Sequence, residues 1–280
     1  MSNIYRGTLF NDQCRFYLGD CTELIEQVNQ QTTFSPTAIA ALGRSLMITN
    51  ILGLMQKDDA KVSTIINGHG PLGTIIATAD SQGNIKAKVT NPLASAPKVS
   101  NKKLDVGTCV GKNGFLRVIK DLNMKEPFVS EIPLVSGEIG IDYATYFTQS
   151  EQVPTAVAVG VLVDKDHSIK NASVFIVQLM PDCSEEAINK LETFFNSLTG
   201  LSEIMSTRTP SQFLEEFFHN DYAILQTIKT NLVCDCSYDK FLEALKMLPP
   251  ADIIELKQDK EVECICDFCY KKYLIQSEEL

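Results

Sequence analysis

The 280-residue sequence predicts an α+β fold in three parts: a mainly antiparallel sheet domain with packed helices over 1–180, a helical connector over 181–230, and a small cysteine-rich module over 231–280. Three observations carry this expectation. Strand-like and helix-like segments come in blocks rather than in strict alternation, which favours antiparallel sheets over repeated βαβ units. After Pro181-Asp182 the apolar period turns wholly helical. Five of the nine cysteines then fall between Cys234 and Cys269.

Taken in order, residues 5–10 and 15–18 read as a hairpin around the polar turn Asn11-Asp12. Asp20 with Glu23 resembles a helix N-terminus, and Leu24, Ile25 and Val28 supply the apolar side. Ser35-Pro36 starts a second helix, with Pro at its first position. Its Ala40, Ala41 and Gly43 suggest close packing on a sheet. Strands are expected at 61–66, 74–79, 85–90, 115–120, 127–134, 156–163 and 172–180, and a helix over 140–150. In the connector, Ser184 opens a helix carrying Ala187, Leu191, Phe194 and Phe195, and Gly200 stops it. Thr209-Pro210-Ser211-Gln212 is a capping box for a helix with Phe213, Leu214, Phe217 and Phe218. Ser237 caps the next helix, Pro249-Pro250 ends it, and a short helix over 252–257 follows.

Composition narrows the function. There is no Trp, and the net charge is −10. From Cys234 onward eleven Asp/Glu outnumber six Lys, a poor balance for binding phosphates, so no nucleic-acid partner is expected. No apolar run reads as long enough to span a membrane, and no signal peptide is apparent, so a cytoplasmic chain without a membrane partner is expected. Nine cysteines in a reducing compartment point to metal or redox chemistry. Gly68-His69-Gly70-Pro71-Leu72-Gly73 matches G-x-G-x-x-G, but a strand follows where a dinucleotide fold needs a helix, and Pro71 removes a donor. It is read as a tight strand connection. No G-K-[ST] phosphate loop and no G-x-S-x-G elbow appear, and His69, His167 and His219 are scattered. An enzyme is not expected. Cys14, Cys21, Cys109 and Cys183 read as isolated small apolar groups.

Cys234 and Cys236 form a C-x-C pair, and Cys266 and Cys269 a C-x-x-C pair, with 29 residues between them. Four soft thiolates in two short-spaced pairs suit a closed tetrahedral zinc site, so one Zn2+ per chain is expected. Each pair could alternatively close on itself as a disulfide, and strained disulfides are the labile kind. Cys264 is surplus, and the common knuckle spacing favours Cys266 and Cys269 as ligands. A thiol–disulfide oxidoreductase using Cys266 and Cys269, or a zinc-stabilised interaction module without a switch, are the rival readings of the same residues.

The text Val233-Cys234-Asp235-Cys236-Ser237, together with Cys266-Asp267-Phe268-Cys269 and the aromatic at Tyr273, resembles the 33-kDa heat-shock chaperone family of redox-regulated holdases. Ser35-Pro36 leading to Ala41-Leu42-Gly43-Arg44, the glycine turn at 68–73, Asn91-Pro92 and Ser150-Glu151-Gln152 extend the likeness along the chain. Two departures are the extra Cys264 and Lys86-Ala87-Lys88, where the family usually has an Arg-Gly pair. The resemblance implies an ATP-independent chaperone that is inactive when reduced and zinc-bound. By carry-over, oxidation would pair Cys234 with Cys236 and Cys266 with Cys269, and zinc would leave. The module and connector would then unfold, and the chain would dimerise and hold unfolding clients. Phe194, Phe195, Phe213, Phe217 and Phe218 are the candidate client-binding residues.

Overall fold

In the computed structural model, which describes residues 2–96 and 104–280, the chain divides into two units, Met1–Leu232 and Val233–Leu280. In the first, β1 (Asn3–Leu9) and β2 (Cys14–Asp20) form the expected hairpin, in register from Asn3↔Asp20 to Leu9↔Cys14. α1 (Thr22–Asn29) starts one residue after Cys21. The backbone N–H and hydroxyl of Thr22 donate to Asp20 Oδ1 at 3.2 and 2.7 Å, so Asp20 holds the turn before the helix rather than capping it. α2 (Pro36–Leu54) begins where Ser35-Pro36 predicts, with Ser35 Oγ accepting from the Ala38 N–H at 3.0 Å.

Next come β3 (Lys61–Asn67), β4 (Thr74–Asp80), β5 (Asn84–Val89), α3 (Val106–Val110), β6 (Phe115–Asp121), β7 (Phe128–Pro133), α4 (Gly140–Gln149), β8 (Thr155–Val163) and β9 (Ile169–Leu179). The strands from β3 to β5 alternate buried and half-exposed side chains, as period-two patterning requires. After β9 follow α5 (Glu185–Ser197), α6 (Leu201–Met205), α7 (Pro210–Phe218), β10 (Tyr222–Lys229) and β11 (Asn231–Leu232).

One sheet runs β10-β1-β2-β9-β8 and is antiparallel throughout. The other runs β11-β5-β4-β3-β6-β7 and is antiparallel except for the short β11–β5 pairing. α2 packs on strands of both sheets, and every residue in it except Pro36 and Arg44 is buried. This corrects one expectation: by length and composition α2 is apolar enough to cross a membrane, although 94% of the relevant window is buried inside the protein. Its apolar surface is spent on two sheets at once. Arg44 leaves the core to pair with Glu138 at 3.0 Å.

The glycine turn between β3 and β4 is a strand connection, as expected, and its donors are already engaged. The Gly70 and Leu72 N–H groups donate to the Val110 and Cys109 carbonyls, each at 3.0 Å. A Cβ on Gly68 would lie 2.2 Å from the Gly111 carbonyl oxygen, so the glycines let the turn press against the end of α3.

The helical expectation for 181–230 needs correcting. α5, α7 and their caps lie where the sequence places them, with Ser184 and Thr209 accepting from the Ala187 and Gln212 N–H groups. Tyr222–Lys229, however, is strand β10, which lies along β1 from Leu9↔Tyr222 to Asn3↔Lys229 with a bulge at Arg6/Gly7. It covers an edge of β1 that would otherwise present unpaired backbone groups.

In the second unit, α8 (Tyr238–Lys246) and α9 (Pro250–Leu256) precede the hairpin of β12 (Glu261–Ile265) and β13 (Lys272–Gln276). Ser237 Oγ caps α8, accepting from the Lys240 N–H at 3.2 Å. Neither helix buries a single residue. Of the described residues in this unit, Cys266, Ile275 and Ser277 alone are buried.

Candidate metal centre and aromatic cluster

The hairpin turn between β12 and β13 carries Cys266 and Cys269. It closes through the Cys266 N–H donating to the Lys271 carbonyl at 3.0 Å and the Tyr270 N–H donating to the Cys266 carbonyl at 2.8 Å. Tyr270 takes a left-handed backbone, φ +57°, to complete the turn. Cys234 and Cys236 lie on the extended segment between β11 and the Ser237 cap of α8. Lys240 Nζ pins this segment by donating to the Asp235 carbonyl at 2.7 Å and to its carboxylate at 2.9 Å.

The four sulfurs of Cys234, Cys236, Cys266 and Cys269 all lie within 4.8 Å of one another. Cys234 Sγ is 3.6 Å from Cys266 Sγ, and Cys236 Sγ is 3.4 Å from Cys269 Sγ. A tetrahedron with metal–sulfur bonds of about 2.3 Å has edges of about 3.8 Å. The donor set and its spacing therefore fit a thiolate metal site. All four are free thiols, and the closest contacts join the two pairs rather than closing either one.

Tyr273 on β13 is a residue whose role the sequence did not reveal. Its hydroxyl donates to the Cys236 carbonyl at 3.0 Å and sits 3.2 Å from Cys236 Sγ. Its ring lies 5.1 Å from that of Phe241 on α8. Burial opposes ionisation of Cys236, but hydrogen bonds from Tyr273 and the neighbouring cysteines bring its thiol down to about 7. Burial pushes the Cys234 and Cys269 thiols up. Tyr273→Phe removes this support from Cys236 while leaving the four sulfurs in place. It is expected to weaken metal affinity by about tenfold, the low end for lost outer-shell contacts, in competition with a chromogenic chelator. Cys264 pairs in register with Tyr273 and lies outside the four-sulfur cluster.

The five candidate phenylalanines also come together, all in the first unit. Phe213, Phe218 and Phe194 are buried, and Phe195 and Phe217 pack half-buried against them. They surround Phe175 of β9, with ring centroids 5.5 Å from Phe213, 5.8 Å from Phe195 and Phe218, and 6.0 Å from Phe194. The sheet side of the cluster is Leu9, Phe16, Leu18 and Val177. α5–α7 thus cover an apolar face of the five-stranded sheet.

His69, His167 and His219 do not converge on the cysteines; each has a positive φ, at +59°, +71° and +48°. Cys21 and Cys109 are buried small groups, as expected. Cys14 and Cys183 are not isolated: their sulfurs are 3.8 Å apart. That proximity had no signal in a sequence that separates them by 169 positions.

Comparison with known proteins places these features. The profile of the Hsp33 protein family matches residues 2–276. The 33 kDa chaperonin of Alkaliphilus metalliredigens is 40% identical over 283 positions, covering 100% of this chain and 97% of that protein. The 33 kDa chaperonin of Staphylococcus haemolyticus is 39% identical, covering 99% and 95%. The crystal structure of a 33 kDa chaperonin, a heat shock protein 33 homologue from Thermotoga maritima, superposes with a TM-score of 0.93 at 32% identity, covering 99% of this chain and 95% of that one.

Proposed function

The chain belongs to the Hsp33 family of chaperones, and on that premise we propose that it is an ATP-independent holdase switched on by oxidation of its four clustered cysteines. The observation that carries the proposal is the contrast between the four-sulfur cluster and the near absence of buried residues around it. Chains of fewer than about 70 residues seldom fold on their core alone. Zn2+ bound by Cys234, Cys236, Cys266 and Cys269 would supply the missing stability, of order 10–16 kcal/mol for such modules. Reduced, the four thiolates tie the C-x-C segment to the hairpin turn. A disulfide sulfur offers no thiolate, so oxidation by a peroxide removes the ligands and the ordering they provide.

The resemblance pairs Cys234 with Cys236 and Cys266 with Cys269, and a physical argument supports it. Bonds within each pair leave the two segments free of one another. Bonds along the short contacts, Cys234 to Cys266 and Cys236 to Cys269, would staple the segments together instead. Peptide mapping of the oxidised protein without reduction is expected to recover the two local disulfides. Recovery of the crossed pair would contradict an oxidation that loosens the module.

Once Val233–Leu280 unfolds, the chain entering it from β10 and β11 loses its ordered continuation, and the helices α5–α7 loosen from the sheet. Phe194, Phe195, Phe213, Phe217, Phe218 and the face centred on Phe175 then become apolar surface for unfolding clients, which bind non-directionally. Residues 181–230 act in this reading as the releasable connector, and the oxidised chain pairs with a second copy. The metal and redox chemistry proposed for its cysteines suits a reducing compartment such as the cytoplasm.

The test is suppression of client aggregation, followed by light scattering, by reduced and by peroxide-treated protein. Stoichiometric holding only after oxidation is expected. Equal holding by both forms would reject the switch. Catalytic turnover of insulin disulfides would instead favour an oxidoreductase, although Cys266 and Cys269 sit in a hairpin turn rather than at the helix N-terminus such enzymes use.

A further inference from the structure

Cys14 opens β2 and is fully buried, on the sheet side of the aromatic cluster. Cys183 lies in the link between β9 and α5, half-buried, one residue before the Ser184 cap. Their sulfurs are in van der Waals contact at 3.8 Å, and both are free thiols. The contact is held by the backbone rather than left to side-chain chance. The Met180 N–H donates to the Gln13 carbonyl at 2.9 Å, the Ser184 N–H to Gln13 Oε1 at 2.8 Å, and the Cys183 N–H to the Met180 carbonyl at 3.2 Å. Asp182 adopts a left-handed backbone, φ +66°, that turns the link back over β2. Two thiols fixed in this way react at high effective concentration.

We propose that Cys14 and Cys183 form a second, intramolecular redox pair that hydrogen peroxide closes to a disulfide, separately from the four clustered cysteines. Cys183, the more accessible, reacts first: its thiolate attacks the peroxide O–O bond, one oxygen leaves as water after taking up a proton, and Cys183 becomes a sulfenic acid. Cys14 sulfur then attacks the Cys183 sulfur. The S–O bond breaks, the S–S bond forms, and the departing hydroxide takes the Cys14 proton as a second water. The two thiols have lost two protons and two electrons, and the hydrogen peroxide has become two waters. Burial, with Cys183 alongside, pushes the Cys14 thiol up to about 12, which suits it to the second step rather than the first. The sulfurs must approach from 3.8 Å to about 2.05 Å, within reach of side-chain rotation and a small shift of the link. The bond ties the start of α5 to β2, so under the proposed switch the connector would come away only beyond Cys183.

The full-length protein is treated with excess hydrogen peroxide, alkylated under denaturing conditions and digested without reduction. Mass spectrometry is expected to find Cys14 and Cys183 joined in one species lacking two hydrogens, while Cys21 and Cys109 carry the alkyl group. Recovery of Cys14 and Cys183 both alkylated, or of Cys183 as a sulfinic acid or bonded to a tail cysteine, overturns the proposal. A variant with Cys234, Cys236, Cys266 and Cys269 all replaced by serine separates this pair from the metal switch. On oxidation it is expected to migrate faster in a non-reducing gel, and Cys183→Ser in that background should abolish the shift. An unshifted band in the parent variant would likewise overturn it, whatever the fate of the holdase reading.

Discussion

Replacing Cys234 and Cys269 with serine is expected to leave Val233–Leu280 unfolded in fully reduced protein and to loosen α5–α7, while the two sheets of Met1–Leu232 keep their structure. One cysteine of the four-sulfur cluster is lost from each pair, so neither segment would retain a two-point hold on the proposed metal. The contribution removed is about 10–16 kcal/mol, as large as the whole stability of an ordinary domain, roughly 5–15 kcal/mol. Nothing in the unit compensates: α8 and α9 bury no residue, and Ile275 is the one fully buried apolar side chain besides Cys266. Limited trypsin digestion reads the outcome. Cleavage after Lys240, Lys246 and Lys257 should become rapid, while the two sheets of the first unit survive as the resistant core. The sheets of the first unit, with α2 buried between them, do not depend on these sulfurs. Unchanged resistance at the three lysines would show that the tail folds without its metal.

The second large effect is expected at Phe213. It is fully buried on α7, and its ring packs on those of Phe175, Phe194 and Phe217 at 5.5, 6.1 and 5.0 Å. Truncation to alanine should cost about 3–5 kcal/mol through lost burial and the cavity left behind. That cost falls on the seam between the connector helices and the sheet. Phe213→Ala should therefore hold clients while still reduced and metal-bound, because the covering helices loosen without oxidation. Zinc content should stay at the wild-type level, which separates this route from loss of the metal. A reduced Phe213→Ala protein as inactive as wild type would mean that the buried cluster is core and nothing more.

The four-cysteine cluster was legible because the short spacings within each pair suit one metal site, and the helix starts were legible because Ser35, Ser184, Thr209 and Ser237 cap locally. What escaped was long-range. Tyr222–Lys229 carries β-branched Ile224, Thr227 and Ile228, yet its strand exists because β1, more than 200 positions earlier, needs an edge partner. The hairpin β12–β13 is masked by its cysteines: Glu261-Val262-Glu263-Cys264-Ile265 alternates, but the strand is only five residues long and runs straight into the C-x-x-C turn. α3 and α6, five residues each, are too short to show a helical period. The Tyr273 hydroxyl on Cys236 and the Cys14–Cys183 contact arise from register and chain return, which no local pattern encodes. α2 was legible as a buried helix packed on a sheet; what the sequence did not show is that it packs between two sheets, which leaves it apolar on all sides and without the polar stripe of an ordinary surface helix.

The most direct measurement of the central claim follows three signals through one peroxide titration: zinc released to a chromogenic chelator, amide-exchange protection of β12–β13, and aggregation of an unfolding client. The account predicts that protection at Ile275 is lost in step with zinc and that client holding rises along the same curve. Zinc fully released from a chain whose hairpin amides stay protected, or client holding that rises while zinc remains bound, would contradict it.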